Sequence, residues 1–403
     1  MSDGRKYLEE QGVEAAMAKA VAQVLRERPT NALARLSQLI NPTQGCTDDY
    51  LSTIGNTPLV KLDKMLPADC KAKAVYVKME MQNPGGSIKD RIAKGIIEAA
   101  EAEGKLKPGM TIVEATSGNT GIGLAMVSAA KGYKCVIIMP QVPPMAERYM
   151  IARQFGAEVI LTAPGLGIKG CLKAYNDLIA SDPSVYFGAN QFQNPANPEV
   201  HYQTTGPEVF AQTGGEVDIF VHGIGTGGTI AGTGKYLKEQ KPSCQIVAIE
   251  PSNARVHVGM PPAPHTIVGI GAGIPTHFLS MPTDGEGNPV ALAEPTAIPG
   301  VVDEWAHASQ EEAIEYARKA CTAEGMMVGP SAGAALKVAC EIAARPESAG
   351  KTLVVVCASH GIRYAAHPLW AAVQKEAAQA LPKPPNMDKT IECVQWDSSK
   401  MHD

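Results

Sequence analysis

The chain has 403 residues, and at roughly 100–200 residues per domain it is long enough for two to four structural units. Apolar residues make up 45%, which is typical of a globular protein. The net charge of −5 argues against a nucleic-acid partner, because phosphate binding requires a basic surface. No window approaches about 18 consecutive apolar residues, and the charged N-terminus lacks an apolar stretch, so the sequence predicts neither a membrane span nor a secretory signal.

The cysteines indicate the redox environment. There are nine, an odd number, scattered along the chain without a Cys-x-x-Cys pair. This pattern predicts free thiols in a reducing, cytoplasmic compartment. It also argues against a structural zinc cluster, so we expect no metal site.

Residues 1–43 differ from the rest of the chain and predict two short helices. The apolar residues of the first recur at helical spacing: Val13, Met17, Val21, Val24 and Leu25. Pro29 ends this pattern, and the second helix would carry Leu33, Leu36, Leu39 and Ile40. Helices of this size cannot bury their apolar faces alone, so they must pack on the main body or on another chain. Residues 44–50 are predicted as a polar linker.

From residue 51 to about 375 the sequence alternates between strand-like and helix-like segments. Strands are predicted at 74–79, 111–114, 134–139, 158–161, 219–222, 245–250 and 352–357. Ala-rich helical runs follow most of them, for example at 88–103, 121–131 and 145–155. Apolar strands separated by helices indicate a mostly parallel sheet covered on both faces, and the length favours two α/β lobes. Residues 376–403, which contain Leu-Pro-Lys-Pro-Pro, are predicted as an extended tail.

Four glycine-rich clusters carry the chemistry, and each is expected to follow a strand. They span residues 83–91, 116–121, 223–229 and 329–334. In an open α/β sheet, ligands bind beyond the carboxyl ends of the strands, so the four clusters predict one shared site.

The first cluster, Asn-Pro-Gly-Gly-Ser-Ile-Lys-Asp-Arg, places Lys89 at the start of a helix. The positive end of the helix dipole lowers the pKa of a lysine amine, which favours the free amine that Schiff-base chemistry needs. The alternative is a solvated lysine at a helix start.

The other three clusters combine backbone N–H groups with hydroxyls. Thr-Ser-Gly-Asn-Thr-Gly at 116–121 predicts an anion site at a helix N-terminus, or only a capped turn. Gly-Ile-Gly-Thr-Gly-Gly-Thr at 223–229 predicts a phosphate cradle or a structural turn, and it matches neither a full dinucleotide fingerprint nor a Walker loop. Ser331, in the last cluster, is either a helix N-cap or a hydroxyl of the site.

Six motifs in order resemble the cysteine synthases, the O-acetylserine sulfhydrylases of the pyridoxal-phosphate fold-type II group. They are Gly-Asn-Thr-Pro-Leu at 55–59, Ser-Ile-Lys-Asp-Arg at 87–91, Ser-Gly-Asn-Thr-Gly at 117–121, Gln191 with Asn-Pro-Ala-Asn-Pro at 194–198, Gly-Thr-Gly-Gly-Thr at 225–229 and Gly-Pro-Ser-Ala-Gly at 329–333. The likeness runs from about residue 51 to 364. It implies a homodimer with a two-lobed fold similar to the tryptophan synthase β subunit, with the smaller lobe at about 92–200.

The resemblance implies a role for each matching residue. Lys89 would hold pyridoxal 5'-phosphate as an internal aldimine and later act as the acid and base. Asn119 would contact the ring hydroxyl, and Ser331 would face the pyridine nitrogen. The cofactor phosphate would be bound by Gly225, Thr226, Gly227, Gly228 and Thr229. The substrate carboxylate would be bound by Thr116, Ser117, Asn119, Thr120 and Gln191.

These roles predict β-replacement, in which O-acetyl-L-serine and sulfide give L-cysteine and acetate through an aminoacrylate intermediate. A neutral Ser331 makes a weaker electron sink than an aspartate, which suits elimination from the β-carbon. A β-cyanoalanine synthase would use the same residues. A cystathionine β-synthase is disfavoured, because no nucleotide-sensing C-terminal domain or haem-binding segment is recognised. Another alternative is a scaffold-associated, weakly active member of the family.

Three segments depart from the family pattern. They are Gln-Val-Pro-Pro-Met-Ala-Glu-Arg at 141–148, Val-Gly-Met at 258–260 and Ser-His-Gly-Ile-Arg-Tyr at 359–364. Met260 stands where the family has a glycine and would fill space near the substrate side chain. The cofactor site is therefore predicted to be intact, whereas the identity of the substrate stays open.

The N-terminal helices have a likeness of their own. Tyr7-Leu8, the run Leu-Arg-Glu-Arg-Pro-Thr-Asn-Ala-Leu at 25–33 and Leu36 resemble the dimerisation-and-docking motif of kinase A regulatory subunits and their dumpy-type relatives. The resemblance implies a two-chain four-helix bundle that binds an amphipathic scaffold helix through residues 5–41, with a cilium or flagellar axoneme as an alternative location. The other interpretation is an extension that packs on the catalytic dimer.

Overall fold

Two β-sheets flanked by helices form the frame of the chain. The computed structural model describes residues 13–27, 47, 49–141, 146–279 and 301–379. The strands are β1 (Leu59–Lys61), β2 (Ala74–Lys78), β3 (Thr111–Ala115), β4 (Lys134–Pro140), β5 (Glu158–Thr162), β6 (Tyr186–Gly188), β7 (Val217–Gly223), β8 (Gln245–Pro251), β9 (Glu304–Ala308) and β10 (Thr352–Val356). The helices are α1 (Val13–Glu27), α2 (Lys89–Ala102), α3 (Asn119–Lys131), α4 (Ala146–Gln154), α5 (Gly167–Ser181), α6 (Ala196–Val200), α7 (Gly206–Gln212), α8 (Gly228–Gln240), α9 (Gln310–Glu324), α10 (Pro330–Ala344) and α11 (Ala371–Gln379).

The larger sheet has six strands in the order β1-β2-β10-β7-β8-β9. Its strands are parallel except for β1, which pairs antiparallel with β2. Every residue of the central strand β10, Thr-Leu-Val-Val-Val, is buried. Leu353 and Val355 pack in the core with α9 and α10, whereas Val354 and Val356 pack with α8. Alternate side chains therefore face opposite helical layers, as in a parallel sheet that is covered on both faces.

The smaller sheet has four parallel strands in the order β5-β4-β3-β6. Ile137 of β4 packs with α2 and α3, and the next residue, Ile138, packs with Cys171 of α5. Both faces of this sheet are thus buried under helices. The two sheets confirm the predicted two-lobed α/β fold.

The predicted strands are confirmed with shifts of one or two residues at their ends, and the structure adds β1, β6 and β9. These three are edge or peripheral strands, and β9 (Glu-Trp-Ala-His-Ala) has no continuous apolar run that would predict it. The expectation that every glycine cluster follows a strand is wrong for the fourth. Residues 329–334 follow α9 and a single β-bridge between Val328 and His360.

The N-terminal prediction is confirmed for the first helix, α1. The predicted second helix and most of the linker lie outside the described residues, as does the Pro-rich part of the tail. Helix α11 runs to Gln379, past residue 376 where the tail is predicted to begin, because its Ala-rich sequence favours a helix. Among the described residues, none of the helices is long and apolar enough to cross a membrane.

A buried network of ion pairs connects the start of α2 to β2 and α7. Arg91 donates to both carboxylate oxygens of Glu80 at 2.7 and 2.8 Å and to Glu208 of α7 at 2.7 Å. Lys78 of β2 donates to the same Glu208 carboxylate at 2.6 Å. Arg91 and Glu80 are almost completely buried, so each charge depends on its partner. Since Arg91 lies two residues after Lys89, the network also fixes the backbone that carries this lysine.

Candidate active site

A cavity lies where β7 ends and helices α2, α3, α8 and α10 begin. Parallel strands and helix starts converge there, so the position agrees with the rule for open α/β sheets. The cavity brings together segments that are far apart in sequence. It is lined by Ile88, Lys89, Asn119, His222, Gly223, Gly225, Thr226, Gly227, Thr229, Ile230, Gly269, Ile270, Ser331, Ala358, Ser359 and Tyr364.

Lys89 is the first residue of α2, and its side chain lines the cavity. The lowering of its pKa that the sequence predicts is present, and burial is a cause that the sequence analysis did not include. Desolvation by the surrounding protein lowers the pKa of this amine from 10.5 to about 8. A substantial fraction of Lys89 is therefore the nucleophilic free amine near neutral pH.

The loop at 225–229 forms the floor of the cavity. Gly227 has φ +88°, a left-handed conformation that favours glycine, and it precedes α8. Gly225 cannot carry a side chain, because a Cβ there would lie 2.6 Å from the Gly269 carbonyl oxygen. The N–H groups of Gly225, Thr226 and Gly227 donate to no acceptor within the described part of the chain. Unpaired N–H groups at a helix start form an anion cradle, which fits a phosphate.

Two side chains from the segment after Gln191 support the hydroxyls of this loop. The Asn197 amide donates to Thr226 Oγ1 at 3.0 Å and also to the Gln191 carbonyl at 2.7 Å. His201 Nε2 lies 3.2 Å from Thr229 Oγ1. Burial holds the pKa of His201 well below its ordinary value, so its imidazole is neutral. The sequence signal for Asn197 was present in the Asn-Pro-Ala-Asn-Pro motif, but its contact with the phosphate loop requires the fold.

Asn119 begins α3 and faces the cavity beside Tyr364. Its Nδ2 donates to the Tyr364 hydroxyl at 3.1 Å, and that hydroxyl lies 2.8 Å from Ser359 Oγ. Asn119 Oδ1 is buried with no hydrogen-bond partner among the described residues. Burying an amide oxygen without a hydrogen bond costs free energy, unless a bound ligand donates a hydrogen bond to it. The guanidinium of Arg148 stacks over the Tyr364 ring at 5.2 Å from its centroid.

Ser331 lines the cavity from the first turn of α10. The helix N-cap is Gly329, with Pro330 at the first helical position. The N-cap alternative for Ser331 is therefore wrong. Its hydroxyl is left for the site, close to Gly269, where an added Cβ would lie 3.1 Å from Ser331 Oγ.

The predicted carboxylate ligands are only partly brought into the cavity. Thr116, Ser117, Thr120 and Gln191 do not line it in this structure, and Asn119 does. Thr120 Oγ1 donates to Gln191 Oε1 at 2.6 Å, so the two side chains form one pair next to Asn119. Gly228, the one predicted phosphate residue outside the lining, packs against Asn197 instead.

His222 is a cavity residue that the sequence analysis did not select. It lies at the end of β7, is 7% exposed, and its Nδ1 has no hydrogen-bond partner in the part of the chain that the structure describes. Burial and the nearby charge of Lys89 lower its pKa to about 3, so the imidazole is neutral. A histidine between an apolar strand and a glycine cluster was the signal that could have identified it.

The departures from the family pattern lie around the cavity. Val258 and Gly259 end a turn that leaves Met260 38% exposed, and Met260 does not line the cavity. Arg363 Nη2 donates to the Gly85 carbonyl, in the loop that precedes Lys89. Residues 142–145 of the first departing segment lie outside the described residues.

A much larger cleft, open to solvent, lies elsewhere on the smaller lobe between α2 and residues 187–204. Charged side chains of both signs line it, and none of the predicted site residues does. We therefore place the active site in the smaller cavity, where the chemistry-bearing residues converge.

The residues present fit pyridoxal phosphate. A cavity-lining lysine of lowered pKa suits its aldehyde, the unpaired N–H groups of the 225–229 loop suit its phosphate, and the unpaired Asn119 oxygen and the Ser331 hydroxyl remain for the ring. The fold and this site define a two-lobed α/β enzyme whose cavity suits a phosphorylated aldehyde cofactor.

Comparison with known proteins identifies the family. The model described as "Pyridoxal-phosphate dependent enzyme" matches residues 50–359, and the chain belongs to this family, whose cofactor is pyridoxal phosphate. A cysteine synthase from Staphylococcus aureus is 45% identical over 325 residues, which cover 80% of this chain and 97% of the relative.

Solved structures give the same result. The crystal structure of a cysteine synthase from Entamoeba histolytica matches with a TM-score of 0.74 and 39% identity, covering 82% of this chain and 92% of that one. An O-acetylserine dependent cystathionine β-synthase from Helicobacter pylori matches with a TM-score of 0.70 and 33% identity, covering 80% and 99%.

Proposed function

We propose that this protein catalyses β-replacement on O-acetyl-L-serine, with sulfide as the nucleophile and L-cysteine and acetate as products. The observation that carries the proposal is the joint presence in one cavity of Lys89, the phosphate cradle, Asn119 and Ser331. The cysteine synthase relatives, which match over four-fifths of the chain, support this choice within the family.

Lys89 is the residue that moves protons in this proposal. The bound cofactor supplies an electron sink that acidifies the α-proton of the amino acid. Lys89 Nζ, as the free amine, takes the proton from the α-carbon while the bond from the β-carbon to the acetate oxygen breaks. Sulfide then forms the new bond to the β-carbon, and the Lys89 ammonium returns its proton to the α-carbon.

Ser331 would favour elimination at the β-carbon, and the 116–120 loop would bind the substrate. A neutral Ser331 hydroxyl beside the cofactor ring would keep the electron sink weak, which would favour loss of the β-substituent. Asn119, together with Thr116, Ser117, Thr120 and Gln191, would bind the substrate carboxylate. Because most of these side chains do not line the cavity in this structure, the proposal requires the loop to move toward the substrate when it binds.

Replacing Lys89 tests the assignment. We expect Lys89→Ala to bind the cofactor without the visible absorbance of a lysine adduct and to lose cysteine formation. The control variant Lys94→Ala, on the same helix, should keep both the absorbance and the formation of cysteine. Turnover by Lys89→Ala at the rate of the unmodified enzyme would exclude this role.

The nucleophile is tested by offering sulfide, cyanide and homocysteine to the same holoenzyme. We expect sulfide to be preferred. Preference for cyanide would indicate a β-cyanoalanine synthase. Preference for homocysteine would indicate the activity named for the Helicobacter pylori relative.

We further propose that the enzyme acts in the cytoplasm as a homodimer. In this proposal the catalytic unit begins at residue 51 and includes α11 to its end at Gln379, with a smaller lobe at about 92–200. Residues 1–43 and 44–50 are its N-terminal unit and linker, and the tail follows α11. Analytical ultracentrifugation of the full chain tests the dimer.

A second proposed function, docking to a scaffold, concerns the N-terminal helix. Met17, Val21 and Leu25 of α1 recur every fourth residue and are 40%, 42% and 69% exposed. This apolar stripe supports the proposed dimerisation-and-docking unit, which would bind an amphipathic helix. Binding to such a helix on a scaffold would localise the enzyme to a ciliary axoneme.

A matched pair of variants in the full chain tests docking. We expect Val21→Glu, on the stripe, to abolish binding of an amphipathic anchoring helix, and Ala22→Glu, beside it, to leave binding intact. Failure of the unmodified chain to bind such a helix would exclude docking.

A further inference from the structure

A chain of hydrogen bonds connects a buried carboxylate to the phosphate loop from outside the cavity. Glu250, in β8, lies 2.7 Å through Oε1 from Nδ1 of His257. Nε2 of His257 receives the backbone N–H of Thr276 at 3.2 Å. The Thr276 hydroxyl then donates to the carbonyl oxygen of Thr226 at 2.5 Å. We name this series, Glu250–His257–Thr276, the loop relay.

The donors and acceptors determine one protonation state of the loop relay. A backbone N–H can only donate, so Nε2 of His257 must be an acceptor without a proton. The imidazole proton is therefore on Nδ1 and is donated to Glu250 Oε1, which also accepts the backbone N–H of His257 at 3.1 Å. His257 is thus neutral, and the imidazole orients Thr276 by accepting from it.

The imidazole is also held in place by packing. His257 and Glu250 are 3% and 1% exposed. The His257 ring stacks on Trp305 with a centroid distance of 5.0 Å and an interplanar angle of 17°. Burial of these polar groups is offset by the hydrogen bonds of Glu250 Oε1 and of both His257 ring nitrogens, whereas Glu250 Oε2 has no partner among the described residues.

The geometry of the peptide bond shows what the loop relay does to the cavity. In a trans peptide the C=O and the following N–H point in opposite directions. A Thr226 carbonyl held by Thr276 therefore turns the N–H of Gly227 away from Thr276. Thr226 and Gly227 both line the cavity, and this N–H is one of those without an acceptor among the described residues.

We propose that His257 is a positioning residue for the cofactor phosphate. It acts through Thr276, which fixes the Thr226–Gly227 peptide so that the Gly227 N–H is aimed at the anion before it binds. This preorganisation saves the free energy of ordering the loop on binding. The inference rests on the assignment of the 225–229 loop to the phosphate, and the experiment separates the two.

The test compares two ligands, pyridoxal phosphate and pyridoxal, on the apoenzyme of the full chain. The dissociation constants are measured by absorbance for His257→Leu, Thr276→Val and the double variant. His307→Leu and Thr266→Val replace the same residue types outside the relay and serve as controls. Thr276→Ser keeps the hydroxyl and is expected to retain the affinity of the unmodified chain.

We expect each relay variant to weaken pyridoxal phosphate binding by about tenfold, the effect of one well-placed hydrogen bond, and to leave pyridoxal binding unchanged. The double variant should be no weaker than the weaker single variant, because the two residues act in series. The ³¹P resonance of the bound cofactor should shift in the relay variants and not in the controls.

Two results would overturn the proposal. One is equal weakening of both ligands, which indicates general damage to the fold. The other is an unchanged affinity of Thr276→Val for pyridoxal phosphate. Because this variant tests the same series of contacts, the test stays decisive if His257→Leu fails to fold. If instead the unmodified chain bound pyridoxal as tightly as pyridoxal phosphate, the assignment of the phosphate loop itself would fail.

Discussion

The lowered pKa of Lys89 predicts the pH dependence of cofactor capture by the apoenzyme. Only the free amine attacks an aldehyde, so the capture rate follows the unprotonated fraction of Lys89. Burial lowers the pKa of this amine from 10.5 to about 8. At pH 7 the free fraction is then about one in ten, compared with roughly one in 3,000 for an unperturbed lysine. The rate should rise about tenfold per pH unit below pH 8 and level off above it.

Stopped-flow absorbance after mixing apoenzyme with pyridoxal phosphate, between pH 6 and 10, measures this rate. The same reaction with Nα-acetyl-lysine corrects for titration of the cofactor itself, and Lys89→Arg should show no capture. After that correction, a rate that keeps rising tenfold per unit up to pH 10 would refute the reasoning, because it would show that the protein leaves the lysine unperturbed.

Three substitutions extend the test to the surroundings of the site. Arg91→Met leaves the Glu80 carboxylate buried without its partner, and we expect a loss of about 3–5 kcal/mol in the free energy of unfolding, measured in urea. A loss below about 1 kcal/mol would contradict the importance of the ion network. Gly227→Ala places a Cβ at φ +88° against Thr276, so we expect at least about a tenfold loss of cofactor affinity, and unchanged affinity would count against the cradle. Tyr364→Phe removes the hydroxyl next to the Asn119 amide, and we expect a shift in the absorbance maximum of the holoenzyme; an identical spectrum would place Tyr364 outside the ring's surroundings.

The sequence by itself determined the class of fold and the positions of the main site residues. Apolar strands that alternate with Ala-rich helices predict a parallel sheet that is covered on both faces. The strand and helix patterns can be recognised in the sequence because each arises within a few adjacent residues. The position of Lys89 at a helix start and the glycine loop at 225–229 are equally local, since turn and helix-start chemistry is encoded by adjacent residues.

The sequence did not distinguish the alternatives for individual residues. Ser331 could have been an N-cap until the structure placed Gly329 in that position. The direction of the Lys89 pKa shift was predicted from the helix dipole, but the lowering by burial depends on the whole fold and could not be predicted locally.

Only the tertiary structure decided which distant residues complete the site. Asn119 meets Tyr364 across 245 residues of chain, and Thr276 reaches the carbonyl of Thr226 across 50. No local sequence pattern distinguishes His257, and the pattern around His222 does not indicate how its nitrogens are hydrogen-bonded. The neutral charge of these two imidazoles and the hydrogen bonding of their nitrogens follow from burial and from contacts between segments that the sheet topology brings together. No local pattern of residues carries that information.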